Sequence, residues 1–288
     1  MSQSPKARLE TFNFHNLHPQ VLIGTASDRY AGWIGQIYSH DRYQGKIAKR
    51  TNIIGGKSFI EEVLPVDSVE EYFEHFPVLE IDFIFYRPLL DPNGQPNQNY
   101  EVLKNYAKHS NEGDRIILKV PQMVMAQKIR KGDYHVANPA YLNPKIFTEQ
   151  FYEPAVNLLG ANLTGFIFEQ EYQRKEDRLP VVKMAYGLNI FFSQIPKDSR
   201  YHLELRTDED SYVRAYPFDK LVDGMMQPEM ILEAVEILRT AVEKGVLANV
   251  FINNRAGGNA PMIAQEIAKK FLGKPKSKTP HQMNLWDS

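Results

Sequence analysis

Two segments of the chain could place carboxylates and cations together on one face of a β-sheet. In both segments polar and apolar residues alternate, and a period of two puts the polar set on a single face of a strand. In residues 78–86 the polar set is Glu80, Asp82 and Tyr86. In residues 201–206 the polar set is His202, Glu204 and Arg206. Cationic side chains of this kind bind anions, and carboxylates and histidine can exchange protons with a bound ligand.

The elements around these segments predict an α/β fold in which helices cover a parallel sheet. The predicted strands are residues 21–25, 78–86, 116–120, 165–168, 201–206 and 249–253, with 212–216 as a candidate. The predicted helices are residues 68–76, 99–110, 146–159, 179–195, 228–244 and 260–272. We therefore expect a TIM-like (β/α) barrel, in which the inward-facing polar set meets at the carboxyl ends of the strands.

The chain has 288 residues, of which 43% are apolar, and this is enough for one large domain. We divide it into a loose N-terminal segment (1–20), a barrel domain (21–272) and a disordered tail (273–288). Within the barrel domain, residues 41–57 are basic and contain glycine, so we interpret them as an insertion or a mobile loop.

Composition excludes several classes of protein. The chain has no cysteine, which excludes disulfides, thiolate metal sites and a cysteine nucleophile. Its formal net charge of −1 argues against a surface built as one broad basic footprint for nucleic acid. No apolar run approaches the roughly 18–20 residues of a membrane span, and the first residues lack the apolar segment of a secretory signal. We therefore expect a cytoplasmic protein that does not contact membranes.

The predicted inner face gathers ionisable groups from several strands. Lys119, Arg206 and Arg214 could bind an anion there, and Glu80 or Glu204 could act as a general acid or base. Isolated buried charges cost several kcal/mol, so the same groups must pair with one another. The alternative is therefore an internal ion network that only fixes the register of the strands.

A metal site is the weaker hypothesis. A hydrolytic zinc site usually needs three protein ligands, often histidines. Of the eight histidines, only His202 lies on a predicted inward face. His202 with neighbouring carboxylates could hold Mg²⁺ or Mn²⁺, but the sequence gives this no further support, and we predict no cofactor.

A polar, glycine-containing stretch, residues 253–259, joins the last predicted strand to the last helix. Its glycines would let backbone amides approach a ligand, and the helix that follows favours negative charge at its N-terminus. Asn253 and Asn254 would then contact the ligand. The alternative is an ordinary strand-to-helix turn in which asparagine caps the helix, and the sequence favours neither.

Several short motifs resemble those of the YecE-like family of TIM-barrel proteins, known as domain of unknown function 72. In chain order they are Ile23-Gly24-Thr25 with Trp33 and Tyr38, Leu79-Glu80-Ile81-Asp82 with Tyr86, Leu118-Lys119-Val120-Pro121, Glu204-Leu205-Arg206, Tyr212-Val213-Arg214 and Phe251-Ile252-Asn253-Asn254. The resemblance runs from residue 21 to residue 272 and implies a TIM barrel. It implies no reaction, because the family has no established one.

The chain departs from the family pattern in three places. Residues 26–28 are Ala-Ser-Asp, where the family commonly has Ser-Gly-Trp after the first Gly-Thr. Thr207 and Tyr216 lie near positions where the family commonly has histidine. Only five residues separate Arg206 from Tyr212, too few for a helix and a strand. We therefore expect an irregular barrel, or one that lacks a β/α unit after Arg206.

The last residues form a Pro-, Lys- and Ser-rich tether that ends in an apolar cluster, residues 282–286. A disordered end gains nothing by exposing large apolar side chains. The cluster resembles the short peptide by which bacterial proteins bind the DNA sliding clamp. The residues that would make this contact are Gln282, Met283, Leu285 and Trp286. The alternative is that the tail docks on the barrel or has no function.

Two classes of function remain open from the sequence. The first is an enzyme, a hydrolase or another enzyme acting on phosphate esters, whose substrate is an anionic small molecule or a nucleic-acid fragment. Its pocket would be walled by Trp33, Tyr38 and Tyr86 and lined by Asp82 and His202. The second is a non-catalytic accessory protein that binds a ligand or partner and is recruited by its tail.

Overall fold

A computed structural model describes residues 4–54, 57–131, 134–168, 188–192, 215–226 and 228–273. Its strands are β1 (Val21–Ala26), β2 (Ala48–Ile54), β3 (Lys57–Val63), β4 (Val78–Ile81), β5 (Arg115–Lys119), β6 (Lys128–Lys131), β7 (Tyr134–Ala137), β8 (Leu163–Ile167), β9 (Leu188–Phe192) and β10 (Ala248–Ile252). Its α-helices are α1 (Pro5–Glu10), α2 (Val69–His75), α3 (Gln98–His109), α4 (Gln122–Met125), α5 (Pro144–Phe147), α6 (Glu153–Leu159), α7 (Pro228–Glu243) and α8 (Ala260–Leu272).

In the described part of the chain, the main sheet has six strands in the order β8-β5-β4-β1-β10-β9. The first five run parallel, while β9 pairs antiparallel with β10. Strands β2 and β3 form a separate antiparallel hairpin, and β6 and β7 form another.

The prediction of a TIM-like barrel is wrong. A closed barrel of this kind needs eight parallel strands, whereas the described residues supply five, arranged as a half-barrel. The edge beside β10, where the next parallel strand would pair, is occupied by the antiparallel β9. This strand also lies inside the predicted helix 179–195, so that prediction is wrong over residues 188–192.

The two faces of the parallel strands are built differently, as the alternation predicted. Leu79 of β4 and Leu118 of β5 face the helices and belong to the main apolar core. On the other face, a small separate cluster forms from Val78, Ile117, Ile167 and Phe251. Glu80 and Lys119 follow Val78 and Ile117 by two residues, so they lie on this second face, nearer the carboxyl ends of the strands.

Strand β1 lies between β4 and β10, and it approaches β4 closely. A Cβ atom added to Gly24 would lie 2.0 Å from the carbonyl oxygen of Val78. The buried hydroxyl of Tyr72, on α2, joins the same two strands. It accepts from the Thr25 amide at 2.9 Å and lies 2.9 Å from the Val78 carbonyl, to which it donates.

Several local predictions need correction. The strand predicted over 78–86 ends at Ile81, and a 3₁₀ turn from Phe83 to Tyr86 follows. The N-terminal segment, expected to be loose, contains α1 and buries Leu9 and Phe14. Residues 48–54, within the expected mobile loop, form the first strand of a hairpin. The predicted strand 201–206 and the tail from residue 274 lie outside the described residues.

Within the described part of the chain, none of the helices combines the length and the apolarity that a membrane span requires.

Replacing Gly24 with alanine should destabilise the fold by about 3 kcal/mol or more, because the new methyl group would overlap the β4 backbone. The matched control is Gly165→Ala in β8, where the added Cβ would lie 3.9 Å from the Ile117 side chain, an ordinary contact. Urea denaturation of both variants checks this. Equal losses of unfolding free energy would contradict the close approach of β1 to β4.

Candidate functional site

The carboxyl ends of β10, β1, β4 and β5 bring four ionisable residues to neighbouring positions. Ala26 pairs with Glu80, and Asp28 and Asp82 each follow two residues later, just beyond the ends of β1 and β4. Ile81 pairs with Leu118, so Lys119, the next residue of β5, lies beside Asp82. On the other side, Thr25 pairs with Ile252, and a 3₁₀ turn that contains Arg255 follows the end of β10. We call these four residues the edge row: Arg255, Asp28, Asp82 and Lys119.

Asp82 is the electrostatic centre of the edge row. Burial raises the pKa of its half-buried carboxyl group, and three cations act against that shift. These cations are Lys119, Arg255 and Arg50. They come from the end of β5, the turn after β10 and the β2–β3 hairpin, so their approach to one carboxylate is a product of the tertiary fold.

Lys119 is held beside an aromatic ring. Its ammonium nitrogen lies 4.5 Å from the centre of the Phe85 ring, within the range of a cation–π interaction. Phe85 is placed there by the 3₁₀ turn that ends β4. The turn therefore fixes the position of Lys119 as well as that of Asp82, which directly precedes it.

The β2–β3 hairpin is hydrogen-bonded to the segment that follows β1. Arg50 donates from Nε to Oε2 of the buried Glu61 at 2.8 Å. Tyr30 pairs in an isolated bridge with Val63 at the end of β3. Burial raises the pKa of the Tyr30 hydroxyl, and the negative charges of Asp82 and Glu61 raise it further. Tyr30 is therefore a neutral hydrogen-bonding group between the hairpin and the edge row.

Asp28 is the most deeply enclosed carboxylate of the edge row, at 1% exposure. Its Oδ1 accepts from the Tyr106 hydroxyl at 2.6 Å, and its carbonyl oxygen accepts from the Tyr38 hydroxyl at 2.7 Å. Burial raises the pKa of the carboxyl group to about 6, a shift that Arg29 and the Tyr106 hydrogen bond limit and that Asp82 increases. Asp28 therefore titrates close to neutral pH.

Glu80 lies on the predicted face of β4, but its side chain is buried rather than accessible to a ligand. It pairs laterally with Ala26 and Ile117 and is only 2% exposed. Asp82, two residues further on, is half-buried and lies among the cations. Of the two, Asp82 is better placed to exchange a proton with a ligand.

The aromatic residues expected to wall the pocket have other positions. Trp33 is fully buried and donates from its indole nitrogen to Oδ1 of Asn254 at 3.2 Å. Tyr38 is buried and stacks on Trp33, with ring centres 6.3 Å apart. Tyr86 is 79% exposed and packs edge-on against Phe85. Trp33 and Tyr38 are thus part of the buried frame, and Tyr86 is exposed to solvent beside Phe85.

The hydrogen-bond acceptors of the backbone amides decide between the two interpretations of residues 253–259. The Asn253 side chain accepts from the Arg255 amide at 3.0 Å, and the Asn254 side chain accepts from the Ala260 amide at 2.8 Å. Asn259 caps α8 by accepting from Met262 at 2.8 Å. These donors are satisfied within the protein, so the segment is a capped strand-to-helix turn.

Part of the predicted site lies outside the described residues. This holds for the strand and late-motif residues His202, Glu204, Arg206 and Arg214, and for the tail residues Gln282, Met283, Leu285 and Trp286. The described part of the site is therefore the edge row with Tyr30, Arg50 and Glu61.

The sequence analysis did not identify Asp28, Arg255, Arg50 and Glu61 as residues of this site. Asp28 had a usable signal, because it follows a predicted strand by two residues at the edge where parallel sheets bind ligands. Arg255 had the same signal after the last strand. Arg50 and Glu61 had none, because each reaches the sheet only through the folding of a hairpin.

Within the described residues no group of three or more His, Asp and Glu side chains is arranged to hold a metal ion. Comparison of the chain with protein-family models, with curated proteins and with solved structures finds no match in any of the three. The site must therefore be interpreted from its own geometry.

The titration of Asp28 predicts how stability depends on pH. Its pKa is about 6 in the folded protein and 3.8 ordinarily, so folding favours the protonated form. The contribution is fully present below pH 4 and is lost as the pH rises to about 6, a change of about 3 kcal/mol in unfolding free energy.

Asp28→Asn should remove that change, because asparagine stays neutral and can still accept from Tyr106. Denaturation curves between pH 4 and pH 7 would measure the difference from the wild type. Exposed Asp223 supplies the control variant Asp223→Asn, which should keep the wild-type slope. An Asp28→Asn protein with that same slope would show that Asp28 is ionised throughout.

Proposed function

We propose that this protein binds a small anionic ligand at the carboxyl edge of its parallel sheet and acts on it as an enzyme. The observation that carries the proposal is that Asp82 and Lys119 lie at the carboxyl ends of the neighbouring strands β4 and β5, where Lys119, Arg255 and Arg50 all act electrostatically on the Asp82 carboxylate. Open α/β sheets bind their ligands outside the carboxyl ends of the strands, and this cluster lies at that place.

The edge row offers both binding and proton transfer. Lys119 and Arg255 are half-buried donors at opposite ends of the row, suited to a phosphate or carboxylate group. Burial raises the pKa of the Asp82 carboxyl group, which favours its protonated form and suits it to general acid–base chemistry. The combination suits an enzyme that acts on phosphate esters, and we place the acid–base role on Asp82.

Recruitment of the protein to DNA is a separate part of the proposal. It rests on the sequence of residues 282–286, whose Gln, Leu and Trp match the pattern of a sliding-clamp-binding peptide. A tail that binds the clamp would narrow the substrate to nucleic acid or its fragments. The absence of cysteine supports a cytoplasmic location for such a protein.

Binding of inorganic phosphate, measured by isothermal titration calorimetry at low salt, tests the anion site. Lys119→Ala should weaken the binding of phosphate by about tenfold or more, because a charge-assisted hydrogen bond is lost. The control is Lys104→Ala, which removes an exposed lysine of α3 that lies 3.8 Å from Glu101. Equal phosphate affinity in both variants would move the anion site away from the edge row.

Fluorescence anisotropy of a labelled 274–288 peptide with a purified bacterial sliding clamp tests recruitment. We expect a Kd in the low micromolar range, about −8 kcal/mol, and loss of binding in two control peptides. One carries Gln282→Ala, and the other carries Leu285→Ala together with Trp286→Ala. A wild-type peptide that does not bind would remove the link to DNA while leaving the anion site untouched.

A further inference from the structure

The Asp28 carboxyl group has fewer hydrogen-bond donors than a buried ionised carboxylate normally receives. One carboxylate oxygen, Oδ1, accepts from the Tyr106 hydroxyl at 2.6 Å. The other, Oδ2, is buried and has no hydrogen-bond partner among the described residues. A buried ionised carboxylate normally has its oxygens satisfied by donors, because the desolvation cost is otherwise uncompensated. The arrangement favours the protonated acid.

The groups around Asp28 leave it poorly compensated as an anion. Arg29 follows it in the chain and is the cation that acts on its carboxyl group most directly. Three tyrosine hydroxyls lie near it: those of Tyr72 on α2, Tyr106 on α3 and Tyr38 in the segment after β1. From the end of β4, the like charge of Asp82 opposes its ionisation.

The neighbouring carboxylate has the complementary environment. Asp82 is approached by Lys119 from β5, by Arg255 from the turn after β10 and by Arg50 from the hairpin. Tyr30 faces the same carboxylate. The cations limit the rise in the pKa of Asp82, whereas burial raises the pKa of Asp28 to about 6.

We propose that Asp28 belongs to the ligand site, and that an anion binds at the edge row together with one proton held by the Asp28–Asp82 pair. This inference rests on the proposed function, because it requires the anion to bind beside Lys119 and Arg255. An anion there competes with Asp82 for the same cations and adds negative charge next to two carboxylates. Neighbouring like charges raise the pKa values of such a pair, so a proton enters from solvent as the anion binds.

Sulfate is the probe that tests this linkage, because it stays a dianion between pH 5.5 and pH 8. Calorimetry of the full chain should show sulfate binding at least tenfold tighter at pH 5.5 than at pH 8. Titrations at pH 7 in buffers of different ionisation enthalpy should show net proton uptake. This second measurement uses only the wild-type protein, so it does not depend on how well a variant folds.

Asp28→Asn places a permanently neutral group at the same position and should abolish most of the pH dependence. Its sulfate affinity at pH 8 should approach the wild-type value at pH 5.5. Asp223→Asn, an exposed aspartate changed in the same way, should behave as the wild type.

Three outcomes would overturn the inference, and they differ in what else they overturn. Sulfate binding that is equally tight at both pH values, without proton uptake, refutes the proton linkage and leaves the anion site standing. Proton uptake that persists unchanged in Asp28→Asn refutes the role of Asp28. Failure of sulfate to bind at either pH refutes the inference and the proposed anion site together.

Discussion

The register of β1 between β4 and β10 is the constraint on which the rest of the structure depends. Gly24 permits the approach, because any side chain there would overlap the Val78 carbonyl group. The Tyr72 hydroxyl then joins the Thr25 amide to that same carbonyl group. A slip of one residue would turn every side chain of β1 to the opposite face and would separate Asp28 from Asp82.

The charges at the carboxyl edge are tolerated because separate elements compensate them. Asp82 faces cations that approach from β5, from the turn after β10 and from the hairpin. Asp28 receives one hydroxyl donor, from Tyr106, and burial raises its pKa to about 6. The two carboxylates are thus held in unlike environments, as is typical of acid–base pairs in enzymes.

Polar and aromatic residues that the sequence offered as ligand contacts turn out to build the frame of this edge. Trp33, Asn254 and the amide of Ala260 are tied together through one amide oxygen. Asn259 caps the last helix and also donates to the carbonyl oxygen of Phe218 at 2.7 Å. The residue types suit a binding loop equally well, so only the observed partners distinguish the two roles.

The sequence predicted local structure well where one face of an element is apolar. The bounds of α3, α7 and α8 differ from the predicted ones by no more than a residue or two at each end. The inward placement of Glu80 and Lys119 also followed from alternation alone. The break in the strand at Asp82 was missed, because the apolar period of two continues through Phe83 and Phe85 although the backbone turns.

The sequence by itself determined which face of each parallel strand carries the charges, since the period of side chains along a strand depends only on local backbone geometry. Tertiary structure decided how far the sheet extends, because the antiparallel pairing of β9 with β10 joins residues more than fifty positions apart. It also decided which charges meet. Arg50, Asp82 and Arg255 belong to distant parts of the chain, and only the packing of the hairpin and the final turn against the sheet edge brings them together.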